Sequence, residues 1–170
     1  MDTPRTRAWL ATIVFAIAGA CGGLFLAPGS PELVPHALFF CILLVNTFFS
    51  IRFYAEIQPR VFSQSLVDTV LAITYVGLGL SIGHPVAFAV AALALFVAAP
   101  PKYALMIAHI PHTALLKRKV LIDLVGTVSS AALLIGTLVG YSLIAAWLFA
   151  VGFALANVYL LCIQPMYKLE

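Results

Sequence analysis

Residues 97–112, VAAPPKYALMIAHIPH, decide the fold, because a long apolar run there meets a pair of prolines, then a lysine and two histidines. A helix over 85–99 would be about 22 Å long at 1.5 Å per residue. That is shorter than the roughly 30 Å hydrocarbon core of a bilayer. We therefore expect a membrane helix that continues to residue 107 and is kinked or broken at Pro100 and Pro101. The alternative is a helix that ends before the prolines and is followed by an interfacial helix.

A break at this place also predicts a cavity. Pro100 and Pro101 remove two backbone donors and crowd the preceding carbonyls. Inside a membrane, unpaired carbonyls are tolerated only within protein or beside water. Lys102 is the next residue, and its charge needs the same water or a carboxylate. The sequence therefore predicts a cavity beside Lys102 that faces the cytoplasm.

The composition places the whole chain in lipid. Its 170 residues are 64% hydrophobic and 9% charged, with a mean hydropathy of +1.12. Soluble domains carry roughly 25% charged residues. So few charges cannot cover a surface that faces water, so we expect an integral membrane protein whose main partner is the lipid bilayer. We expect no nucleic-acid partner and no cofactor.

Six apolar runs are long enough to cross a bilayer, at about 20 residues each. They cover residues 8–27, 35–57, 63–82, 85–107, 120–140 and 142–165. All nine lysines and arginines fall on one side of such an arrangement. By the positive-inside rule both termini are then cytoplasmic, in a plasma membrane or bacterial inner membrane. The sequence predicts one all-α membrane domain over 1–168, with 169–170 as residues left from cloning.

The chain also resembles one helical hairpin used three times. Thr12, Asp68 and Asp123 occupy similar places near the starts of spans 1, 3 and 5. These three spans each carry a GxxxG motif, at Gly19/Gly23, Gly79/Gly83 and Gly136/Gly140. Internal repeats are common in transport proteins. Chance spacing in a chain of short-looped helices is the alternative.

Charged residues near the cytoplasmic ends of the spans are the candidate functional groups. Arg52 and Glu56 lie four residues apart on one face of span 2. A charge inside a bilayer costs several kcal/mol and is normally paired or functional. We expect Asp68 and Asp123 to point into the bundle and to meet Arg52 or Lys102 as a gate or substrate-contacting ring.

Each of these charges also has a purely structural interpretation. Ser65-x-x-Asp68 fits a helix-capping box. Asp123 fits a similar place near a helix start, with Lys119 four residues before it. Arg52 and Lys102 fit side chains that extend to the lipid headgroups along their own stems. The sequence leaves these alternatives open.

The remaining candidates are basic and imidazole groups. Lys117, Arg118 and Lys119 form a cluster suited to a phosphate headgroup, although such clusters commonly serve as a topology signal. Two histidine pairs are weak metal candidates, because structural zinc needs four ligands. They are His109 with His112, and His36 with His84. We expect no metal at either pair.

Three functions fit this pattern, and we favour the first. It is a transporter or channel for a small polar or anionic solute, working as a homo-oligomer. The second is a non-catalytic membrane subunit or assembly factor that docks a partner through polar and GxxxG helix faces. The third is a lipid-modifying or isoprenoid-modifying enzyme. An enzyme is less favoured, because the chain has no HExxH, GxSxG or P-loop motif and only short loops.

Overall fold

The computed structural model describes residues 3–58, 61–107 and 113–163, with the backbone alone at Glu56 and Thr113. Over these ranges the chain is helical and contains no strand. The helices are α1 Pro4–Cys21, α2 Leu33–Ile57, α3 Phe62–Leu80, α4 Pro85–Ile107, α5 Thr113–Leu138 and α6 Ser142–Val158. A π-helical turn extends α1 over Gly22–Leu26, and another extends α6 over Tyr159–Ile163.

All six helices are long and apolar enough to cross a membrane, with candidate spans of 19 to 25 residues. At 1.5 Å per residue, these spans reach about 28 to 38 Å. Many large apolar side chains, such as Phe25 and Val128, point out of the bundle. In water such a surface would be unfavourable, whereas lipid tails solvate it. The prediction of an all-helical integral membrane protein, with six helices long and apolar enough to span the membrane, is confirmed over the described ranges.

The first residues of two helices lie earlier than the sequence indicated. α1 begins at Pro4, where the Thr3 side chain accepts a hydrogen bond from the backbone N–H of Thr6. α5 begins at Thr113 rather than 120, so the basic residues 117–119 lie inside its first two turns. Lysine, arginine and leucine are good helix formers, and long basic side chains reach the membrane surface from within a helix.

Helix α4 runs through both prolines, from Pro85 to Ile107, so the interpretation in which it ends before them is wrong. Pro100 has no N–H, and the carbonyl of Phe96 therefore lacks its usual helical donor. The Thr127 hydroxyl of α5 donates to this carbonyl over 3.0 Å. A neighbouring helix thus satisfies the group that the proline left unpaired.

The six helices alternate in direction, as contacts between their connections demonstrate. Ser30, before α2, donates to the carbonyl of Gly83, before α4. Ser142, at the start of α6, donates to Glu32. These contacts bring three connections together at what we call the loop end. The opposite end, where α2, α4 and α6 finish, is called the basic end.

An aromatic core fills the bundle towards the loop end. Phe39 of α2 is fully buried and lies 4.5 Å, between ring centroids, from both Phe149 and Phe153 of α6. It also meets the edges of Phe88 and Phe96 on α4. Offset and edge-on aromatic pairs of this kind contribute about 0.5–1.5 kcal/mol each beyond the area they bury. This core fixes α2, α4 and α6 around a common centre.

Helices α1 and α3 cross with almost no side chain between them. A Cβ on Gly79 would lie 2.9 Å from the backbone nitrogen of Gly19 and 3.1 Å from the carbonyl carbon of Ala18. A Cβ on Gly22 would overlap the carbonyl oxygen of Gly79. Gly136 likewise faces Ala145 of α6. Each GxxxG motif therefore has at least one glycine in close contact within the chain, whereas a Cβ on Gly140 of the third motif would have nothing within 4 Å.

Candidate functional site

A cavity of about 1160 Å³ lies in the basic half of the bundle, and all six helices line it. Ligand sites in proteins usually measure about 300–1,000 Å³, so the space is ample for a small molecule. Small residues keep it open where larger side chains would fill it. Those that line it include Ala11, Ala55, Ala72, Ala99, Gly152 and Ala156.

Lys102 and Asp68 form an ion pair across the cavity wall. The Lys102 Nζ lies 2.8 Å from Asp68 Oδ1, which joins α4 to α3. The side chain of Lys102 is 12% exposed and that of Asp68 is 36% exposed. Gln58 donates a hydrogen bond from Nε2 to the other oxygen of Asp68. Lys102 therefore meets a carboxylate and faces the cavity.

Asp123 is paired with Lys119, one turn earlier on α5. The Lys119 Nζ lies 2.6 Å from Asp123 Oδ1, and Asp123 is only 2% exposed. Lys102 is close enough to Asp123 for a Coulombic interaction as well. These four side chains thus form a row of alternating charges across α3, α4 and α5, in the order Asp68, Lys102, Asp123, Lys119.

Neither carboxylate caps a helix. α3 begins at Phe62, and its N-cap is Val61, so Ser65 lies inside the helix and Asp68 is further along. α5 begins at Thr113, ten residues before Asp123. The favourable effect of a helix N-terminus on a carboxylate is confined to the first turn. The capping interpretation of both residues is wrong. The ion pair of Asp68 is with Lys102. That of Asp123 is with Lys119, the neighbour that its structural interpretation named, rather than with Arg52 or Lys102.

Tyr103 connects the row to α2. The Lys119 Nζ lies 5.4 Å from the centroid of the Tyr103 ring, which is within the range of a cation–π contact. The Tyr103 hydroxyl lies 3.3 Å from the Ser50 hydroxyl. Its ring is also 5.0 Å from that of Tyr54. The cations of the site therefore lie against an aromatic wall with polar edges.

Gln64 contributes a buried amide that the sequence did not single out. It lines the cavity from α3, one turn before Asp68, and it is 1% exposed. Neither its Nε2 nor its Oε1 has a hydrogen-bond partner among the described residues. Asp123 Oδ2 is in the same situation within that part of the chain. Burying an unpaired polar group costs about 1–3 kcal/mol, so both groups are suited to a polar guest.

The predicted site residues divide into those on the cavity and those away from it. The structure brings Asp68, Lys102, Asp123, Arg118 and Lys119 to its wall. Arg52 and Lys117 are exposed, and the structure does not bring either of them to the lining. The side chain of Glu56, and all of His109 and His112, lie outside the described residues.

The histidines at the loop end are not placed to share a metal. His36 is buried, its Nδ1 accepts the N–H of Gly83 over 3.2 Å, and its ring stacks on Phe88 at 3.8 Å. His84 is exposed. Across the described ranges, no group of three or more histidine, cysteine or acidic side chains could hold a metal ion.

The loop end contains a polar network that the sequence did not reveal. Glu32 is buried, and the hydroxyls of Ser142 and Ser30 lie 2.6 and 3.0 Å from its two oxygens. The hydrogen bond from Ser142 holds the pKa of Glu32 below its ordinary value of 4.5, although burial acts in the opposite direction. These partners come from turns far apart in sequence, so helical spacing gives no signal for them.

A second buried contact joins α2 to α6. Asn46 donates a hydrogen bond to Asn157, and both side chains line the cavity. Asn157 also donates to the carbonyl of Phe153 in its own helix. The sequence suggests buried amides at these positions, since each lies alone within an apolar span, but it does not say that they meet.

No protein-family model, no curated protein and no solved structure matches this chain. The geometry of the cavity is therefore the ground for a functional proposal.

Proposed function

We propose that the protein is a transporter that carries a small anionic or polar solute through the cavity in its basic half. The single observation that carries this proposal is the cavity itself, which all six helices line and which holds the row of alternating charges. Ionisable groups inside a membrane protein commonly mark a solute pathway. A purely structural bundle gains nothing from burying two ion pairs beside open space.

The charge balance of the wall favours an anion. Among the described residues, four cations line it, together with two carboxylates: Arg7, Lys102, Arg118 and Lys119 against Asp68 and Asp123. The described part of the wall therefore carries more positive than negative side chains, and such an excess attracts an anion and raises its local concentration.

The Asp68–Lys102 pair is suited to act as a gate. It joins α3 to α4, and Asp68 remains partly exposed to solvent while Lys102 is mostly buried. An anion that binds Lys102 competes with Asp68 for the same ammonium group. Binding then weakens the connection between the two helices, which couples occupancy to a change in their separation.

The two ends of the bundle favour a transporter over an open channel. Within the described ranges, Glu32, His36, Gly83 and Ser142 of the loop end are not part of the cavity wall. The aromatic core lies between them and the cavity. A cavity that lies in one half of the bundle and does not extend to the other end is compatible with alternating access.

The membrane orientation, the threefold hairpin repeat and the oligomeric state are further parts of this proposal. The positive-inside rule favours a cytoplasmic location for the basic end, in a plasma membrane or bacterial inner membrane, with both termini inside. The three hairpins would then be related units around one cavity. Homo-oligomer formation stays a prediction, although the six helices of one chain are enough to line the cavity.

Reconstituted liposomes test the proposal. The purified chain is placed in liposomes, and swelling is followed by light scattering in isosmotic potassium methanesulfonate, potassium phosphate or uncharged glycerol, with valinomycin present so that potassium enters with the anion and charge balances. The two anions stay ionised, so they do not cross the bilayer as neutral acids. We expect methanesulfonate or phosphate to enter faster than in protein-free liposomes, and glycerol not to. The Lys102→Met variant should lose about tenfold of the anion flux, as expected for a lost charged hydrogen bond.

Arg52→Gln is the matched control, because it removes a cation near the same end of α2 that is exposed and off the cavity wall. Its flux should equal that of the wild type. Equal swelling with and without protein for every anion would overturn the proposal. Equal losses in Lys102→Met and Arg52→Gln would also overturn the assignment of the pathway to this cavity.

A further inference from the structure

The wall of the cavity changes character along the bundle axis. On α4, Lys102 lies towards the basic end, and Leu95 and Phe96 lie about 10 Å deeper at 1.5 Å per residue. On α3, Gln64 and Asp68 come before Leu71 in the same order. The groups near the mouth are polar or charged, and the inner wall is largely apolar.

The inner wall is largely apolar, apart from Thr47 and Tyr75, whose hydroxyls hydrogen-bond each other. Phe149 and Phe153 of α6 line it. Gly152, close to both phenylalanines in sequence, is itself exposed, and nothing stands within 4 Å of a Cβ built on it. A small, fully hydrated anion would leave this surface in contact with water. An apolar group attached to the anion would cover it.

We propose that the solute is an amphiphilic anion, with a carboxylate, phosphate or sulfonate head and a short single apolar tail. This inference rests on the proposed function and names the class of its solute. The head lies at the mouth, where Lys102, Lys119 and Arg118 supply positive charge. The tail lies along the inner wall beside Gly152.

Gln64 has a defined place in this arrangement. Its amide nitrogen is a donor that no described residue uses, and it lines the polar part of the wall with the cations. An anionic head accepts that N–H, and a water bound to the head satisfies the amide oxygen. Gln64 therefore contributes to affinity for the head and is insensitive to the length of the tail.

Matched probes separate the head from the tail. Octanesulfonate carries both, methanesulfonate carries the head alone, and octyltrimethylammonium carries the tail with the opposite charge. Binding to the full chain in phosphatidylcholine nanodiscs is measured by titration calorimetry, with empty nanodiscs subtracted. We expect octanesulfonate to bind at least tenfold more tightly than methanesulfonate, and octyltrimethylammonium not to bind.

Two glycine variants locate the tail. Gly152→Leu fills the inner part of the cavity without meeting another atom at its Cβ. It should weaken octanesulfonate roughly tenfold and leave methanesulfonate unchanged. Gly77→Leu is the control, since Gly77 also has open space around it but is not among the described residues of the wall. It should change neither affinity. Gln64→Leu should weaken both sulfonates by a similar factor.

Several results would overturn the inference. They are equal affinity for the two sulfonates, equal affinity for octanesulfonate and octyltrimethylammonium, or no effect of Gly152→Leu. A diacyl phospholipid that co-purifies with the wild type and is lost in Gly152→Leu would assign the cavity to bilayer lipid instead. If methanesulfonate crosses the membrane but octanesulfonate binds no more tightly than methanesulfonate, only this inference is overturned. Tight octanesulfonate binding without flux overturns the transport function and supports the binding site.

Discussion

The hydroxyl of Thr127 on α5 donates a hydrogen bond of 3.0 Å to the carbonyl oxygen of Phe96 on α4. This carbonyl lies four residues before Pro100, so it is the one that the proline deprives of a helical donor. Gly126, the neighbour of Thr127, brings α5 close enough for this contact, because a Cβ there would overlap the Phe96 ring. A hydrogen bond between α4 and α5 thus replaces a hydrogen bond within α4.

A double-mutant cycle tests this replacement. Thr127→Val keeps the shape and removes the donor, so we expect a loss of about 1–3 kcal/mol in unfolding free energy. Pro100→Ala restores an N–H for Phe96, and in that background Thr127→Val should cost clearly less. Reversible unfolding in mixed micelles measures all four proteins. The control is Thr69→Val, because Thr69 is exposed and donates only within its own helix. Equal costs of Thr127→Val in both backgrounds would refute the replacement.

The buried pair of Lys119 and Asp123 gives a second prediction. Lys119→Met removes the ammonium that pairs with Asp123, and Asp123→Leu removes the carboxylate that pairs with Lys119, so each should destabilise by about 3–5 kcal/mol. The double variant should lose less than the sum of the two. Denaturant unfolding measures the losses. Lys117→Met removes an exposed cation of the same helix and should stay within about 0.5 kcal/mol of the wild type. Additive losses would contradict a direct pair.

Glu32 gives a prediction about pH. Its folded-state pKa is lowered, so it contributes stability above its ordinary value of 4.5 that is lost as the pH falls through the folded value. Ser142→Ala removes the largest cause of the shift. The Tm difference between wild type and Ser142→Ala should therefore shrink between about pH 6 and pH 3. Thermal unfolding in detergent follows it.

The control for that experiment is Ser129→Ala. Ser129 is exposed and donates only to the carbonyl of Val125 in its own helix. Its Tm difference from the wild type should stay constant over the same pH range. A Ser142→Ala difference that is equally constant would mean that the hydroxyl does not act on the ionised carboxylate.

Two glycines of α3 give the last prediction. Gly79→Ala pushes a methyl group against the backbone of α1, which cannot yield as a flexible side chain would, and should cost about 1–3 kcal/mol. Gly77→Ala meets open space and should be neutral or stabilise by up to about 1 kcal/mol, because alanine is the better helix former. Unfolding in micelles compares them. Similar effects at both positions would contradict the close crossing of α1 and α3.

The sequence was sufficient to predict the six helices, because the length of each apolar run can be read from the chain and compared with the thickness of a bilayer. It was insufficient for the start of α5. There, hydropathy places residues 117–119 outside the span, whereas long basic side chains let the helix begin before them. The predicted boundary therefore marks where apolar character begins rather than where the helix does.

Only part of the candidate site could be predicted from the sequence. The Lys119–Asp123 pair follows from helical spacing, since residues four apart are neighbours on a helix. The choice of Asp68 for Lys102 depends on how α3 packs against α4, and the sequence left Arg52 as an alternative. Gln64 resembles an ordinary polar residue near a helix start, and only the packing around it makes its amide buried and unpaired.

The contact between Glu32 and Ser142 also constrains the order of biosynthesis. The two residues are 110 positions apart, and Asn46 and Asn157 are 111 apart. At roughly 5–20 residues per second, the earlier partner of each contact waits on the order of 5–20 s for the ribosome to deliver the later one. Until the last hairpin enters the membrane, the Glu32 carboxylate just before α2 lacks the Ser142 hydroxyl. The Asn46 amide on α2 likewise lacks the Asn157 oxygen. Arrival of α6 closes both contacts together, so the nascent chain gains its final stability in one late step.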